Sequence, residues 1–579
     1  MQGLAPGFPA MSITEAHAKL TAPGQMFELG EADTPAGRVR YYKQAPPSLR
    51  QVFDFLQLFN ARECLVYEQE RCTYAAHRKA VLRFADVLAH AGVGKGDRVV
   101  LALRNVPEWS VGFWACAVLG AISVPLNAWW TGQELEYACR DSGAKAALLD
   151  GERLQRLAPH LSACPDLKTL FVCRSEGPAA APAGRFEDLV GPVSRWVDLA
   201  ETAAPTTAIE PDDDLTIFYS SGTTGTPKGV VLTHRNIISN IFNMLAAQAR
   251  SFLRRGEAPP PPNLTGPQQA TLLSIPLFHV TGCFAFMLPA HLIGGKLVLT
   301  RKFEPEQAMA LIQKERVTRI GGVPTIAWQI LEHPRLHEYD LSSVELITYG
   351  GAPSSPELVR RLKQGIAQAN PAQAWGMTET SAIAVSNFAE DYLLRPWSCG
   401  VPAPGAEAKI VGPDGAILPP GEIGELWYKG PVVSRGYWGK PEATRETFHD
   451  GWVKTGDLAR MDEEGFIAIV DRLKDMVIRG GENIYSVEVE NVLYEHPAVM
   501  DAAVVGRPHP ILGEEPVAIV HLAPGQQATA EELQAFVGQR LAGFKVPVEV
   551  LFRAENLPRN PQGKILKRDL KALLAGGGG

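Results

Sequence analysis

The chain has 579 residues, which is too long for one hydrophobic core, so roughly two to four domains are expected. Its composition, 46% hydrophobic and 21% charged, is that of an ordinary globular protein and excludes a disordered or collagen-like chain. The formal net charge of -7 gives no basic face for a phosphate backbone, so nucleic acid is excluded as an expected partner.

Features that bear on location favour the cytoplasm. The eight cysteines are scattered without a CxxC pair, which indicates neither a zinc site nor a disulfide framework. The N-terminal residues show no basic segment followed by an apolar one, so no secretory signal is predicted. The apolar stretch 109–130 is interrupted by Gly120, Pro125 and Asn127, and its second half, 121–126, is predicted to be a buried strand rather than part of a transmembrane helix.

Short apolar runs recur between amphipathic stretches and predict an α/β fold in which buried strands alternate with helices. These runs lie at 98–103, 121–126, 146–150, 168–173, 271–276, 296–300 and 344–351. After residue 471 the sequence pattern changes, and the predicted order becomes helix, strand, strand, helix, strand, helix. Thr529 and Glu532 form a predicted capping box. We therefore expect two domains, a large one over 1–471 and a small one over 472–579.

The stretch "YSSGTTGTPKGV" (219–230) concentrates hydroxyls and glycines before one lysine, between two strand-like segments. Its spacing is not that of a Walker A loop, and no helix follows at once. Anion binding would therefore depend on loop amides, on Lys228 and on the hydroxyls of Ser220, Ser221, Thr223, Thr224 and Thr226. The alternative is a flexible surface turn, and the loop alone does not decide between the two.

Seven motifs in order carry a resemblance to a known family. They are "YSSGTTGTPKG" (219–229), "PLFHVTG" (276–282), "YGGAP" (349–353), "AWGMTET" (374–380), "TGDLAR" (455–460), "DRLKDMVIRGGENIYSVEVE" (471–490) and "PRNPQGKILKRDL" (558–570). Together they resemble the core motifs of the adenylate-forming superfamily, which contains acyl-CoA synthetases, adenylation domains of peptide synthetases and luciferases. The resemblance runs from about residue 50 to about residue 573 and implies a large multi-layer N-terminal adenylation domain with a small mobile α+β C-terminal domain.

The resemblance implies a reaction in which a carboxylate attacks the α-phosphate of ATP. Two like charges roughly 4 Å apart repel by about 4 kcal/mol at an effective dielectric near 20, so cations must offset the repulsion. By resemblance, Lys564 bridges the carboxylate and the α-phosphate, Glu379 holds Mg²⁺, and Thr378 hydrogen-bonds the α-phosphate. The 220–228 loop would bind the β- and γ-phosphates, which leave as pyrophosphate.

The same resemblance implies a nucleoside slot. The adenine would lie between two segments, Gly350, Gly351 and Ala352 on one side and Trp375 with Gly376 on the other. Asp457 would accept both ribose hydroxyls, and Arg472 would contact the ribose and the phosphates. Ala374 stands where many members carry Asn, so that contact to adenine is missing or supplied from elsewhere. Taken singly, such residues have ordinary structural explanations, and the assignment depends on the ordered set.

In the second half-reaction of the family, a thiol attacks the acyl adenylate after the small domain has rotated. By resemblance Lys474 is the hinge, and Gly480 and Gly481 let the pantetheine arm of CoA pass close to the backbone. His279 would lie between the acyl pocket and this tunnel as a gate. The simpler interpretation of the paired glycines is a tight turn, and both remain open.

The expected activity is that of an AMP-forming carboxylate–CoA ligase with ATP, Mg²⁺ and CoA. The segments that should line the acid pocket are apolar or small, which favours a medium-chain or long-chain fatty acid, with an aryl acid as the alternative. A ligase that loads a carrier protein, a luciferase-like oxygenase and a nucleotide sensor without turnover are further alternatives, although a sensor would be expected to lose a catalytic group. Peripheral membrane contact and a homodimer are additional expectations.

Overall fold

A computed structural model of the chain describes residues 7–34, 37–176, 183–220, 226–261, 265–350, 356–523, 525–560 and 563–575. The strands are β1 (Leu29–Thr34), β2 (Gly37–Tyr42), β3 (Glu63–Tyr67), β4 (Glu70–Thr73), β5 (Arg98–Ala102), β6 (Ile122–Pro125), β7 (Ala146–Asp150), β8 (Thr169–Cys173), β9 (Ala183–Arg185), β10 (Asp214–Ser220), β11 (Lys228–Thr233), β12 (Ala270–Leu273), β13 (Lys296–Leu299), β14 (Arg319–Gly322), β15 (Leu346–Gly350), β16 (Asn370–Trp375), β17 (Val385–Phe388), β18 (Val401–Pro402), β19 (Glu407–Val411), β20 (Gly424–Lys429), β21 (Gly436–Tyr437), β22 (Phe448–His449), β23 (Trp452–Met461), β24 (Ile467–Arg472), β25 (Val477–Arg479), β26 (Glu482–Ile484), β27 (Val499–His509), β28 (Gly513–Leu522) and β29 (Glu549–Arg553). The helices are α1 (Ile13–Leu20), α2 (Leu49–Phe55), α3 (Tyr74–His90), α4 (Pro107–Leu119), α5 (Gly132–Ser142), α6 (Gly151–Leu157), α7 (Phe186–Leu189), α8 (His234–Arg254), α9 (Leu288–Leu292), α10 (Pro305–Glu315), α11 (Pro324–Leu331), α12 (Pro356–Gly365), α13 (Ala389–Leu394), α14 (Pro441–Thr447), α15 (Ser486–Tyr494), α16 (Ala530–Gly538) and α17 (Lys567–Ala575).

Two large sheets form the body of the fold. Within the described residues, one has eight strands in the order β21-β11-β10-β6-β5-β7-β8-β9, and the other has nine in the order β18-β17-β16-β15-β14-β12-β13-β3-β4. Pairing in the middle of both sheets is parallel. The predicted apolar runs supply these parallel strands, as expected for strands buried on both faces.

The apolar stretch 109–130 folds as a buried helix followed by a buried strand. Helix α4 is buried along its whole length and ends at Gly120, whose φ of 80° is the left-handed conformation that glycine adopts most easily. Strand β6 follows at once, so the predicted strand is confirmed. Across the described part of the chain, no helix combines the length and apolar content needed to cross a membrane.

The two segments that flank the hydroxyl-rich stretch are strands, as predicted. Strands β10 and β11 are antiparallel and Ser220 pairs with Lys228, so the stretch is enclosed between two strands rather than followed by a helix. Helix α8 begins six residues after Lys228 and is capped by the Thr233 side chain. Residues 221–225, with Ser221, Thr223 and Thr224, lie outside the described residues.

The small α+β unit near the C-terminus has the predicted order of α15, β27, β28, α16, β29 and α17. Thr529 and Glu532 form the predicted capping box of α16. The sequence did not predict the hairpin of β25 and β26, whose two-residue turn is Gly480 and Gly481 with φ of 59° and 89°. Positive φ at both turn positions favours glycine, so the tight-turn interpretation of this pair is confirmed.

Candidate active site

Several predicted residues lie at the carboxyl ends of strands in the two large sheets. Ser220 ends β10, Gly350 ends β15 and Trp375 ends β16. Strands β15 and β16 are parallel, with Gly350 opposite Ala374, so their carboxyl ends lie at one edge of the sheet. Open α/β sheets bind ligands at this edge, because loops leave the strands there and a crevice forms between them. Sheet topology therefore brings Gly350 and Trp375 together, whereas Ser220 ends a strand of the other large sheet.

The glycines at these strand ends are required by close backbone approach. A Cβ on Gly376 would lie 1.8 Å from the carbonyl oxygen of Ala382, and one on Gly350 would lie 2.5 Å from the carbonyl oxygen of Ala374. Both distances are shorter than any real Cβ contact, so a side chain at either position would displace backbone. Gly351 and Ala352, predicted for the same slot, lie outside the described residues.

The backbone that faces Gly376 is itself unusual. Ser381 and Ala382 have φ of 57° and 89°, a left-handed conformation that non-glycine residues rarely adopt. The Ser381 hydroxyl donates to the carbonyl of Val432 at 2.7 Å, and the Asn240 amide of helix α8 donates to the carbonyl of Ile383 at 3.0 Å. These buried bonds hold the loop after Glu379 in a strained shape, which the sequence did not predict.

Trp375 and Asp457 are hydrogen-bonded. The indole nitrogen of Trp375 donates to Oδ2 of Asp457 at 2.8 Å, and both residues are 8% exposed. Arg472 lies opposite Asp457 in the β23–β24 ladder, and its Nε is 3.4 Å from Oδ1 of the carboxylate. Each carboxylate oxygen has two lone pairs, so Asp457 keeps acceptor capacity for a diol after both contacts. The predicted nucleoside residues Trp375, Asp457 and Arg472 therefore form one cluster.

Glu379, Tyr437 and Lys228 form a second cluster. The sequence did not predict a role for Tyr437. The phenol of Tyr437, on the edge strand β21, donates to Oε1 of Glu379 at 2.8 Å. The ammonium of Lys228 lies 5.1 Å from the centre of the Tyr437 ring, in cation–π contact. Burial raises the pKa of Glu379, and the Tyr437 hydrogen bond and the charges of Arg472 and Lys228 oppose that rise. Tyr437 therefore connects the predicted phosphate-binding lysine with the predicted metal ligand.

The donor set near Glu379 fits a magnesium ion shared with a substrate. The Glu379 side chain offers oxygen ligands, the type that Mg²⁺ prefers. Because the carboxylate is buried, a nearby cation stabilises its charged form. Among the residues that the structure describes, no group of three or more His, Cys, Asp or Glu side chains could form a protein cage for a metal. Mg²⁺ is commonly held by one or two carboxylates together with substrate phosphates, and this arrangement matches that mode.

Lys564 reaches this region from the C-terminal part of the chain. Burial and the positive charge of Arg472 lower the pKa of Lys564 to about 7, against the opposing effect of Asp457. The adjacent Gly563 has φ of 84°, and a Cβ there would lie 2.5 Å from Cγ2 of Val323, just before helix α11. The loop that carries Lys564 therefore packs against the large lobe, with its ammonium within electrostatic reach of the Asp457–Arg472 pair.

His279 lies in the loop between β12 and a π-helical turn, Thr281–Met287. Its Nδ1 accepts a hydrogen bond from the backbone N–H of Thr281 at 3.3 Å. Burial lowers the pKa of His279 to about 4, so the imidazole is neutral near pH 7. A neutral ring beside the apolar side chains of Phe278 and Val280 is compatible with an acyl pocket.

Three further predicted residues lie on exposed turns, and a fourth, Thr378, lies beside Glu379. Lys474 is exposed in the turn 473–475, directly after β24. Gly480 and Gly481 are exposed at the tip of the β25–β26 hairpin, where the Gly480 N–H donates to the carbonyl of Leu512 at 2.7 Å. Thr378 is half-buried at the start of a short 3-10 helix, Thr378–Thr380, next to Glu379.

Comparison with known proteins places the chain in a family. The AMP-binding enzyme model matches residues 54–438, and the AMP-binding enzyme C-terminal domain model matches residues 488–564. A feruloyl-CoA synthase of Amycolatopsis sp is 38% identical over 500 residues, 86% of this chain and 93% of that protein. A long-chain-fatty-acid–CoA ligase of Bacillus subtilis is 35% identical over 507 residues, 84% of this chain and 88% of that protein.

Solved structures agree with these relatives. The ATP-bound structure of MatB from Rhodopseudomonas palustris superposes with a TM-score of 0.77 at 29% identity, covering 90% of this chain and 98% of that chain. The α/β architecture with a large N-terminal and a small C-terminal unit is therefore confirmed. The chain belongs to the AMP-binding enzyme family of the adenylate-forming superfamily, and it is an AMP-forming acid–thiol ligase of the acyl-CoA synthetase branch that uses ATP, Mg²⁺ and CoA.

Proposed function

We propose that this ligase activates an apolar monocarboxylic acid, a medium-chain or long-chain fatty acid, in two steps at the site described above. In the first, a carboxylate oxygen bonds to the α-phosphorus of ATP and pyrophosphate leaves. In the second, the sulfur of CoA bonds to the acyl carbon of the adenylate and AMP leaves. What supports the proposal most directly is the position of Lys564: the adjacent Gly563 packs against Val323, and the charges of Arg472 and Asp457 shift the pKa of the lysine.

In the first step, we assign Lys564 to offset the repulsion between the carboxylate and the α-phosphate. A protonated lysine between two anions stabilises them most where water is excluded, and Lys564 is mostly buried. Thr378 would donate a hydrogen bond to the α-phosphate, and the Ser220–Lys228 hairpin would hold the β- and γ-phosphates. Mg²⁺, held by Glu379, would neutralise charge on the triphosphate.

We assign the nucleoside to the slot bounded by Gly350, Gly376 and Trp375. The close backbone packing at both glycines fixes the shape of the strand ends against which a planar base would lie. Asp457 would accept the ribose hydroxyls, with its orientation set by the Trp375 hydrogen bond and the Arg472 contact. Ser221, Thr223, Thr224, Gly351 and Ala352 remain part of the proposed site on sequence grounds.

For the second step, we propose that domain 472–579 rotates relative to domain 1–471 about Lys474. The exposure of Lys474 in the turn after β24 supports this, since backbone dihedrals there can change without disrupting a core. The rotation would remove Lys564 from the site and bring the exposed Gly480–Gly481 turn towards it. His279, neutral at physiological pH, would then line the path between the acyl group and the thiol.

An aryl acid of the cinnamate type is the second candidate substrate. The observation that favours it is the 38% identity with a feruloyl-CoA synthase. The Phe286 ring also packs so closely on strand β14 that a Cβ on Gly321 would lie 2.2 Å from it. If Phe286 lines the acid pocket, its ring can pack against a flat aryl group as well as against an aliphatic chain.

A substrate panel tests the proposal. Purified enzyme is incubated with ATP, Mg²⁺ and CoA and with saturated fatty acids of increasing length, hydroxycinnamic acids or benzoic acids, and both pyrophosphate and AMP are quantified. The proposal expects the highest kcat/KM among the fatty acids. A higher kcat/KM for ferulate or coumarate would select the aryl candidate, and preference for a dicarboxylic acid would overturn both.

A further inference from the structure

We propose that Asp501 and Arg559 are positioning residues for adenylation, because their partly buried ion pair holds the loop that carries Lys564. The inference rests on the proposed role of Lys564 in the first half-reaction. Arg559 lies in the motif 558–570, but the resemblance gave a role there only to Lys564. Asp501 lies in none of the seven motifs, and neither residue belongs to the clusters around Asp457 or Glu379.

The loop that carries Lys564 is a narrow hairpin. Arg559 and Ile565 form an antiparallel bridge, and the N–H of Leu566 donates to the carbonyl of Pro558 at 2.8 Å. Nearer the tip, the backbone N–H of Asn560 donates to the carbonyl of Lys564 at 2.8 Å, and the Asn560 side chain accepts the N–H of Lys564 at 2.9 Å. The backbone of Lys564 is thus fixed relative to Arg559.

Arg559 connects this hairpin to the sheet of the C-terminal unit. One guanidinium nitrogen donates to the carbonyl of Gly563, the residue before Lys564, at 2.6 Å. The other donates to both carboxylate oxygens of Asp501, on β27, at 2.7 and 2.6 Å. The phenol of Tyr494, on α15, donates to Oδ1 of Asp501 at 2.8 Å. A planar guanidinium can make both connections at once, whereas an ammonium is a single point charge.

The low solvent exposure of the Asp501–Arg559 pair strengthens its hold on the hairpin that carries Lys564. The side chains of Arg559 and Asp501 are 18% and 6% exposed, so solvent screens the pair weakly. By contrast, the pair of Arg540 and Glu495 in the same unit is 37% and 51% exposed with a separation of 3.4 Å. Surface pairs of that kind contribute little, which makes Arg540 a suitable control.

The Asp501–Arg559 contact affects adenylation because a lysine side chain is long and flexible. The ammonium of Lys564 has to reach a defined point near Asp457 and Arg472, and only its backbone can be fixed in advance. A displacement of about 1 Å far from the reacting atoms can cost on the order of 10²-fold in rate. Loss of the Arg559 contact to Gly563 would release the backbone immediately before the lysine, and adenylation alone would suffer.

The two half-reactions, measured separately, test this inference. Arg559→Gln and Asp501→Asn should each slow pyrophosphate release with ATP and acid on the order of 10- to 10²-fold. Thioester formation from pre-made acyl adenylate and CoA should stay within about twofold, which also shows that each variant is folded. Arg540→Gln should leave both reactions unchanged. Equal loss in both reactions, or no loss in adenylation, would overturn the inference.

A second comparison asks whether Arg559 acts through Lys564. In a Lys564→Ala background, Arg559→Gln should cause no further loss of adenylation, because the group that it positions is already absent. The same fold-loss in both backgrounds would overturn the inference. If Lys564→Ala itself leaves adenylation intact, the proposed function of the lysine fails. If Lys564→Ala abolishes adenylation and Arg559→Gln does not impair it, only the positioning role fails.

Discussion

The indole N–H of Trp375 donates a 2.8 Å hydrogen bond to the carboxylate of Asp457, 82 residues further along the chain. The bond joins the end of β16 in a large sheet to β23 in a smaller one. A hydrogen bond to a charged group is typically worth about 1.5–3 kcal/mol, so this contact can fix the orientation of the carboxylate. The aromatic residue of the proposed adenine slot and the proposed ribose acceptor are therefore one unit.

We predict that Trp375→Phe weakens ATP binding more than it slows chemistry. Phenylalanine keeps an aromatic face for the base but cannot donate to Asp457, so the carboxylate loses its orientation. The KM for ATP should rise on the order of 10-fold, with kcat changed much less. Steady-state kinetics with varied ATP measure both. Trp452→Phe, on the same strand as Asp457, should leave KM unchanged, and a purely kcat defect in Trp375→Phe would contradict the assignment.

Tyr437→Phe should weaken the use of Mg²⁺·ATP, most strongly at low pH. The phenol hydrogen bond opposes the burial that raises the pKa of Glu379, so its loss should raise that pKa further. A larger fraction of Glu379 would then be protonated as pH falls, and a protonated carboxyl is a poor metal ligand. Displacement of a fluorescent nucleotide by ATP at varied Mg²⁺ measures the effect without turnover. Equal weakening at acidic and alkaline pH would count against this role.

The pH dependence of adenylation should reflect Lys564. In the free enzyme, burial and Arg472 lower the pKa of Lys564 to about 7, and only the protonated form can bridge two anions. We therefore expect kcat/KM for pyrophosphate release to fall as pH rises through about 7. Bound anions favour the protonated lysine, so kcat should persist to higher pH. Coincident alkaline limbs for kcat and kcat/KM would contradict this explanation.

Lys474→Pro should separate the half-reactions. Proline fixes its own φ and restricts the residue before it, so rotation about this turn should be blocked. Because Lys474 is exposed, the folded state should tolerate the change. Pyrophosphate release in a single turnover should persist while CoA-dependent AMP release falls strongly. Unchanged overall turnover would remove Lys474 as the hinge, and Lys474→Ala serves as the control for the lost side chain.

The parts of the fold that the sequence predicted are those governed by local patterns. Buried parallel strands such as β5 and β7 are continuous apolar runs, and the Thr529–Glu532 capping box is a three-residue spacing. The tight turn at Gly480 was one of two open interpretations, but the strands beside it were missed because they are three residues long, too short for a periodic pattern. The N-terminal helix α1 and hairpin β1–β2 were also not predicted; α1 packs against α8, a contact between segments far apart in sequence.

The site was predicted less completely than the fold, because its contacts join distant segments. Motif resemblance named Glu379 and Lys228 but missed Tyr437, which lies on a two-residue edge strand and has no motif of its own. The only available signal was a lone tyrosine after a glycine at Gly436, which is too common to interpret. Asp501 was also missed, since the role that we propose for it depends on its contact with Arg559, 58 residues further along.

The most direct measurement of the central claim uses Lys564→Ala in both half-reactions. If the lysine acts only in the first, pyrophosphate release from ATP and acid should fall on the order of 10²- to 10³-fold. Thioester formation from pre-made acyl adenylate and CoA should remain near the wild-type rate. An equal collapse of both reactions, or undiminished pyrophosphate release, would contradict the assignment of Lys564 to adenylation.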